Sequence, residues 1–544
     1  MIRPVDGIPM FTVPGRAEGI LASFDGSAAH LPRPATLDGV CETATDVRAL
    51  DFPRADVSAA LVEYSTSLGA AGAALDNAKR LAEDDALVVT TGQQPCAALG
   101  PLYVIGKAVT AIKLARDVAG RLGVPVVPVY WNASEDHDID EVSVAAAPGR
   151  DGGLAKFKAD LDAWRGRPIA AVGADAAWQE AARAWLRTLD ASGAHPDLVE
   201  ALAPRPDETW ARWFARGMSD LLSRHGLVML EPQALRPFAI PLVERIVESH
   251  VAVQDLLRAS IAERVESSVA ASFADLDGPP LFVERDGERR RVHVSDDGFT
   301  LRGEEGVLSR ERLLETVRTR PGDVSSHAAL RPIVQNAVLP VVAAVLGPGE
   351  IAYHEELLRF HASDLGVRRR MPVLWPRASV TLIDERSRAT MERFGVTPPD
   401  LFVPRDEFVS RFTPAGDLEG SVRDLARRTA ASVDELRGAV LRLDPTLERP
   451  FAKTVDAVTR ALSTLGDKVQ RAEATAGGFA PDKLGRLSAF VRPDGKPQER
   501  SFCGAWAVAA YGTGLVDELV SALDIHDRRH KIVTPGEGEV THGG

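Results

Sequence analysis

The pattern of apolar and polar positions predicts alternating strands and helices from about residue 86. Residues 86–91 (ALVVTT) form a short apolar, β-branched run, a helical stretch covers 101–122, and residues 124–131 (VPVVPVYW) form the next apolar run. Two strands joined by a helix of this length form a βαβ unit with parallel strands, and its ligand crevice lies beyond their carboxyl ends. We therefore expect an α/β fold with its site in these strand-end loops.

The pattern is less regular between residues 141 and 345. It predicts helices near 174–190, 207–225 and 236–272, a short strand at 227–230, and a hairpin at 281–294 (LFVERDGERRRVHV). We interpret about 141–335 as insertions that decorate the core. The core resumes with an apolar strand at 339–346, a glycine turn and a helix from about Ala352.

The C-terminal third has a different period. Apolar residues recur at spacings of four and three, as in a heptad seam: Phe451, Val455, Val458, Leu462, Leu465, Val469 and Ala472. This pattern predicts a helical arm. The arm either pairs between subunits or forms an intramolecular hairpin with the amphipathic stretch near 421–443, and we favour a hairpin that also pairs between subunits.

These patterns divide the chain into four regions. They are an N-terminal segment packing on the core (1–85), the core with its insertions (86–385), a helical coiled-coil arm (386–500), and a C-terminal helix returning to the core with a flexible tail (501–544).

Composition limits the class of protein. The 544 residues are 45% hydrophobic and include three scattered cysteines, no apolar run long enough to cross a bilayer and no signal-peptide core. We expect a cytoplasmic protein that does not bind membranes. The net charge of −13 argues against a general nucleic-acid surface, because such a surface needs concentrated basic residues.

The loop after the first strand is a candidate anion site. Thr91-Gly92-Gln93-Gln94 and Gly100-Pro101-Leu102-Tyr103 precede Lys107. Backbone N–H groups at a helix start favour anions, and a lysine one or two turns later can reach the same oxygens. The spacing is neither Walker A nor GxGxxG, so a simple glycine turn followed by a surface lysine is the alternative.

The loop after the second strand is strongly acidic. The run from Trp131 to Glu141 contains Ser134, Glu135, Asp136, His137 and Asp138. Carboxylates packed this closely need cations, ammonium groups or sugar hydroxyls as partners, or raised pKa values. The imidazole is suited to take a proton from an amine. The alternative is an acidic first helical turn with its side chains in water.

A third glycine turn follows the strand at 339–346. In Gly347-Pro348-Gly349-Glu350-Ile351-Ala352-Tyr353, the glycines allow close backbone approach to a ligand, and Glu350 can accept hydrogen bonds from a ribose or an amine. A tight turn with a helix-start glutamate is the simpler alternative. Upstream, Arg331 either pairs with a carboxylate or phosphate or has a structural role.

Together these segments resemble the cysteine ligases of bacillithiol synthesis, the BshC family. The matching segments are the loops around Gln93, His137 and Glu350, with Leu330-Arg331-Pro332, Gln498-Glu499-Arg500 and His530-Lys531-Ile532-Val533. The resemblance spans most of the chain. It implies a Rossmann-like core related to nucleotidyltransferases, with connecting insertions and a C-terminal coiled coil used in homodimerisation. Gly106 departs from the pattern, since we expect a histidine before Lys107.

The resemblance also implies a reaction. Cysteine is joined through its carboxyl group to the amine of glucosaminyl malate, with ATP as the activating nucleotide and Mg²⁺ as a candidate companion ion. On this scheme Lys107 and the Gly92–Gln94 loop bind phosphate or carboxylate, His137 assists amine deprotonation, and the acidic residues bind amines or metal. The alternatives are a related amide-forming or nucleotidyl-transferring enzyme, or a non-catalytic nucleotide- or sugar-binding protein.

Overall fold

The apolar runs of the sequence form short strands that assemble into four sheets within the described residues. The computed structural model of the chain describes residues 1–9, 33–149, 152–189, 195–262, 272–273, 275–368, 371–414, 417–476 and 480–536. In chain order the strands are β1 Ile2–Pro9, β2 Leu87–Gln93, β3 Val126–Asn132, β4 Val144–Pro148, β5 Leu154–Lys158, β6 Val228–Leu230, β7 Leu281–Arg285, β8 Glu288–Ser295, β9 Gly298–Leu301, β10 Val324–Ser326, β11 Val341–Leu346, β12 Val373–Pro376, β13 Val380–Leu382 and β14 Arg529–Val533.

The core is a five-stranded parallel sheet in the order β12-β11-β2-β3-β6. Gln93 at the end of β2 is opposite Asn132 at the end of β3, and Leu346 is opposite Pro376 in β12. The carboxyl ends of these four strands therefore lie along one edge. This confirms the predicted parallel α/β core.

Helices cover both faces of this sheet, which explains the continuous apolar character of its strands. Leu87 and Val89 pack in one apolar cluster, whereas Val88 between them packs in another. The helices of the described residues are Leu37–Arg48, Arg54–Ser67, Gly72–Arg80, Tyr103–Leu122, Ile139–Val142, Ala176–Leu186, Pro196–Leu202, Trp210–Leu222, Ile240–Glu248, His250–Ala262, Arg310–Thr319, Arg331–Val338, Pro348–His354, Leu358–Ala362, Glu385–Phe394, Arg405–Phe412, Asp417–Glu435, Arg437–Leu443, Glu448–Ala476, Pro481–Val491, Gln498–Ser501, Gly504–Tyr511 and Gly514–Ala522.

Two predictions for the middle of the chain need correction. The strand predicted at 227–230 is β6, which pairs with β3 and belongs to the core sheet rather than to an insertion. The helix predicted over 236–272 is interrupted at Ser249, whose backbone leaves the helical conformation, and residues 263–271 lie outside the described ranges.

The predicted hairpin at 281–294 is present as β7 and β8. It belongs to a larger antiparallel sheet in the order β10-β7-β8-β9, which we call the hairpin sheet. This sheet lies beside the acidic loop after β3, because Arg289 of β8 contacts His137 of that loop.

The predicted arm is an intramolecular helical hairpin. Helices Asp417–Glu435 and Glu448–Ala476 pair along their length, with Arg437–Leu443 between them. The pair is shorter than the predicted 386–500, because helices Arg405–Phe412 and Pro481–Val491 pack instead in a small core with β1 and β14. Pairing of the arm between subunits stays a prediction. None of the helices in the described ranges is long and apolar enough to cross a membrane.

The two ends of the chain meet in a second sheet. β14 pairs with β1 on one side and with β13 on the other. Helices Gly504–Tyr511 and Gly514–Ala522 pack on the main body, the second of them against helix Tyr103–Leu122. The tail predicted to be flexible lies largely outside the described residues, from residue 537 onward.

Candidate active site

A cavity of about 300 Å³ opens where the carboxyl ends of β2, β3, β11 and β12 meet. Its wall consists of strand-end loops and the first turns of the helices that follow them. The lining residues are Gln93, Gln94, Tyr103, Lys107, Asp136, Arg331, Gly347, Pro348, Gly349, Glu350, Tyr353, Arg377 and Arg500. Residues of all three predicted loops therefore line one cavity, which we call the first cavity.

Lys107 joins two of these loops. Its buried Nζ donates to the Gly92 carbonyl and to Gln93 Oε1, both at 2.8 Å, and lies 2.6 Å from Glu350 Oε2. An ammonium has three N–H donors, so these acceptors use all of them. Burial would raise the pKa of Glu350, but Lys107 outweighs burial and holds that pKa below its usual range. The loops after β2 and β11 are therefore fixed to each other by an ion pair between the buried Lys107 and the half-buried Glu350.

Asp136 links the loop after β2 to the acidic loop. Its Oδ2 accepts a hydrogen bond from Gln94 Nε2 at 3.1 Å, and its Oδ1 accepts the His137 backbone N–H at 2.7 Å. Burial would raise the pKa of Asp136, but Arg331 and Arg289 outweigh it and hold the pKa below its usual range. Asp136 is therefore a carboxylate at neutral pH.

His137 faces a larger neighbouring cavity of about 920 Å³, the second cavity. Gln94 and Asp136 line both cavities, so the two are adjacent. Arg289 Nη1 lies 3.1 Å from His137 Nδ1. A guanidinium only donates, so Nδ1 accepts and the neutral ring carries its proton on Nε2. Burial, followed by the charge of Arg289, lowers the pKa of His137, which keeps the ring neutral near pH 7.

Asp138 also lines the second cavity, but its carboxylate has a structural role as well. Its Oδ1 accepts the Glu141 backbone N–H at 3.2 Å and so caps helix Ile139–Val142. Part of the acidic run thus stabilises a helix start, which is the alternative that the sequence left open.

Other predicted site residues stabilise the strand ends and loops without lining either cavity. Thr91 donates to the Val345 carbonyl at 2.9 Å. Ser134, Asn132 and Tyr64 donate to the half-buried Glu231 carboxylate. Gly100 has a φ of +65° in a buried turn. Of the set predicted as site residues, these do not line the first or second cavity: Thr91, Gly92, Gly100, Trp131, Ser134 and Glu135.

The close approach of two strands explains the glycine at position 92. A Cβ at Gly92 would lie 2.6 Å from the Trp131 carbonyl oxygen, so a larger residue would push β2 and β3 apart. Trp131 and Glu135 instead line a small, mostly apolar cavity beside Arg236. Arg236 Nη2 lies 3.4 Å from Glu135 Oε2.

Sequence reasoning missed several cavity residues, mainly arginines. Arg377 lines the first cavity and is held by Glu499 through two contacts of 2.9 and 2.8 Å. Arg500 reaches the same cavity from the C-terminal region and stands over the Tyr103 ring. The segment Gln498-Glu499-Arg500 was part of the family resemblance, so the sequence did point to Arg500. No sequence feature pointed to Arg289 or Arg377, because arginine is common throughout this chain.

The acidic residues do not form a metal site of their own. Within the described ranges, no group of three or more histidine, cysteine, aspartate or glutamate side chains is placed to hold an ion. Glu350 pairs with Lys107, Glu135 with Arg236, and Asp138 caps a helix. The residues present therefore do not fit a tightly held protein-bound metal.

Comparison with known proteins agrees with this architecture. The family model described as "Bacillithiol biosynthesis BshC, N-terminal Rossmann-like domain" matches residues 32–378, and the BshC C-terminal coiled-coil domain matches 380–535. The chain is similar to proteins named "Putative cysteine ligase BshC". Identity is 32% in Symbiobacterium thermophilum (87% of this chain, 88% of the relative), 30% in Koribacter versatilis (86% and 87%) and 28% in Geobacillus thermodenitrificans (87% and 89%).

Proposed function

Because this chain belongs to the BshC family, we propose that it is a ligase that joins the carboxyl group of L-cysteine to the amine of glucosaminyl malate, with ATP as the activating substrate. The names of its relatives supply the reaction class. The observation that carries the proposal is one cavity at the carboxyl ends of adjacent parallel strands, where arginines and the Asp136 carboxylate face the same space. Open parallel sheets bind their ligands at this edge.

A carboxylate is a poor acyl donor, so the proposed reaction has two steps. An oxygen of the cysteine carboxylate attacks a phosphorus atom of ATP and forms a mixed anhydride, with release of pyrophosphate from attack at the α position or ADP from attack at the γ position. The acceptor amine then attacks the acyl carbon, forms the amide and releases AMP or phosphate. We favour the adenylate route by analogy with related ligases.

The contacts at the site suggest a division of labour among the cations. All three Lys107 donors are engaged by protein acceptors, so we assign Lys107 to holding the loops rather than to direct phosphate binding. Arg331 and Arg500 line the first cavity and carry fixed positive charge, so they would bind phosphate or carboxylate oxygens. We derive no step through Mg²⁺, because the described residues do not fit a protein-held ion.

The test is a direct assay. The protein is incubated with cysteine, glucosaminyl malate and ATP, and mass spectrometry follows the thiol product together with AMP and ADP. AMP supports an adenylate and ADP an acyl phosphate. Product formation with another amine but not with glucosaminyl malate would favour a related amide-forming enzyme, and nucleotide binding without turnover would favour a non-catalytic protein.

A matched pair of variants tests the role of the first cavity. We expect Arg331→Gln to lower kcat/KM by about 10- to 100-fold, the loss of one charge-assisted hydrogen bond. Arg310→Gln makes the same change at an exposed helix residue that lines neither cavity, and it should leave the rate unchanged. Equal rates for the two variants would contradict a role for Arg331 in substrate binding.

A further inference from the structure

The second cavity is lined by carboxylates from one structural element and mainly by guanidinium groups from another. The loop after β3 and the start of the following helix contribute the carboxylates of Asp136, Asp138 and Glu141. The hairpin sheet and its adjoining turn contribute the guanidinium groups of Arg289, Arg290 and Arg302, and also the Glu288 carboxylate, which pairs with Arg290. A ligand that complements this lining carries a cationic or amine group at one end and anionic groups at the other.

On the basis of the proposed function, we infer that the second cavity is the acceptor subsite, with the sugar amine directed to the Asp136 loop and the acceptor's carboxylates to the hairpin sheet. Asp136 lines both cavities, so an amine beside it lies at their junction. This is where an acyl group activated in the first cavity would meet its nucleophile. The volume of about 920 Å³ accommodates a glycoside of this size.

The contacts of the arginines identify the one available to a ligand. Arg289 donates to Ser325 Oγ, to the Ser326 carbonyl and to His137, and its guanidinium lies 3.7 Å from the centre of the Phe282 ring. It therefore fixes the hairpin sheet to the acidic loop. Arg165 is similarly engaged by Asp140 and Asp162.

Arg290 and Arg302 differ in how strongly protein carboxylates hold them. Arg290 lies 2.9 Å from Glu288 and 3.3 Å from Glu304. The Arg302 side chain is exposed at the cavity and makes no hydrogen bond or ion pair with the residues that the structure describes. Arg302 is thus the guanidinium best placed to pair with a ligand carboxylate, and a bidentate pair of this kind is strong and directional.

The test compares two acceptors that differ in their carboxylates. Binding of glucosaminyl malate and of methyl glucosaminide, which has the amine but no carboxylates, is measured by calorimetry on the full-length protein and on its Arg302→Gln, Arg302→Lys and Arg310→Gln variants. We expect Arg302→Gln to weaken binding of glucosaminyl malate by about 10- to 100-fold and to leave binding of methyl glucosaminide unchanged. Arg302→Lys should weaken binding of glucosaminyl malate less than Arg302→Gln does, and the Arg310→Gln control should not weaken it.

The outcomes separate this inference from the proposed function. If the Arg302→Gln variant binds both acceptors as tightly as wild type does, or binds both more weakly by the same factor, the subsite assignment is overturned even when the enzyme makes product. If wild-type protein makes no product but binds glucosaminyl malate in an Arg302-dependent way, the ligase proposal fails while the subsite stands. Cysteine-dependent ATP consumption, measured without acceptor, should be the same in all four proteins because the first cavity is unaltered.

Discussion

At the residue scale, the Lys107 ammonium joins two of the loops that line the first cavity. It bridges the Gly92 carbonyl, the Gln93 side chain and Glu350. Removing one partner of a buried pair leaves the other charge without compensation. We expect Lys107→Met to lower the free energy of unfolding by roughly 2–4 kcal/mol, below the upper range for such pairs because 27% of the Glu350 side chain is exposed. Urea unfolding followed by circular dichroism measures this loss.

A double variant separates two causes of the stability loss: the unpaired Glu350 charge and the lost packing of the Lys107 side chain. Glu350→Gln removes the negative charge, so Lys107→Met combined with Glu350→Gln should be more stable than Lys107→Met alone. The double variant should nevertheless bind ATP weakly, because the loops after β2 and β11 are no longer joined. A Lys107→Met protein as stable as wild type would show that the ion pair does not hold the loops.

His137 allows a test of general base catalysis. In the structure its Nδ1 accepts from Arg289, so Nε2 carries the proton and donates. His137→Asn keeps an acceptor near the Nδ1 position and removes the Nε2 donor. We expect a KM for the acceptor about 10-fold higher and a kcat within a few-fold of wild type, since one hydrogen bond is lost.

The pH dependence of the same variant distinguishes the two roles. Burial and Arg289 lower the pKa of His137, so the neutral form of the ring predominates near pH 7 and above. As a hydrogen-bond donor, His137 should leave the pH profile of kcat between 6.5 and 8.5 the same in wild type and His137→Asn. A loss of about 10²- to 10⁴-fold in kcat would instead establish the base role.

Individual contacts were predicted from the sequence less well than the segments that supply them. Gln93, Asp136 and Glu350 stand out because each lies at or just after the end of an apolar strand, and Lys107 because it lies early in the helix that follows β2. All four line one cavity. The direction of each side chain could not be predicted, since it depends on partners far along the chain. Lys107 points to Glu350, 243 positions away in sequence, rather than to open space.

At the element scale, helix Tyr103–Leu122 packs closely on the segment after β12. A Cβ at Gly106 would lie 3.2 Å from the Ala378 carbonyl oxygen. That segment cannot move away easily: the Ala378 N–H donates to Thr110 Oγ1 at 3.0 Å, and Arg377 donates to the Ala378 carbonyl at 3.1 Å. The glycine where the family resemblance leads us to expect histidine therefore has a packing role.

Two substitutions on this helix should have opposite effects. In an exposed helix position, replacing glycine by alanine stabilises by about 0.5–1 kcal/mol. Gly120→Ala should show this gain, because a Cβ there has no other atom within 4 Å. We expect Gly106→Ala to be neutral or destabilising, since its Cβ presses on the fixed Ala378 carbonyl. Thermal unfolding of both variants provides the comparison, and an equal gain at the two positions would contradict close packing at Gly106.

Predictions of elements succeeded where the sequence pattern is local. The runs at 86–91, 124–131 and 339–346 became β2, β3 and β11 because continuous apolar, β-branched residues suit strands buried on both faces. β6 was placed in an insertion because a three-residue strand contains no information about which strand it will pair with. The break at Ser249 was missed because apolar residues continue at helical spacing on both sides of it.

At the scale of the whole molecule, the first cavity is completed by the C-terminal region. Arg500 lines the cavity, and Glu499 holds Arg377 beside it, although both lie beyond the helical arm in sequence. The arm lies between Arg377 and Glu499 in sequence and forms a helical hairpin. No residue of the arm hairpin in the described ranges is among those that line the cavity.

The arm has exposed apolar residues that a second copy would cover. Leu418, Leu425, Leu436, Leu443 and Leu465 are between 47% and 84% exposed. We predict a homodimer in solution, with a mass twice the 58.3 kDa of the chain in sedimentation equilibrium.

Two sets of variants test this prediction. Leu436→Lys combined with Leu443→Lys should shift the protein to monomer, whereas Arg428→Ala on a neighbouring exposed turn should not. Because no described residue of the arm hairpin lines either cavity, the monomeric variant should retain full turnover per chain. A monomeric wild type, or activity lost in proportion to dimer, would show that the arm or the site works differently.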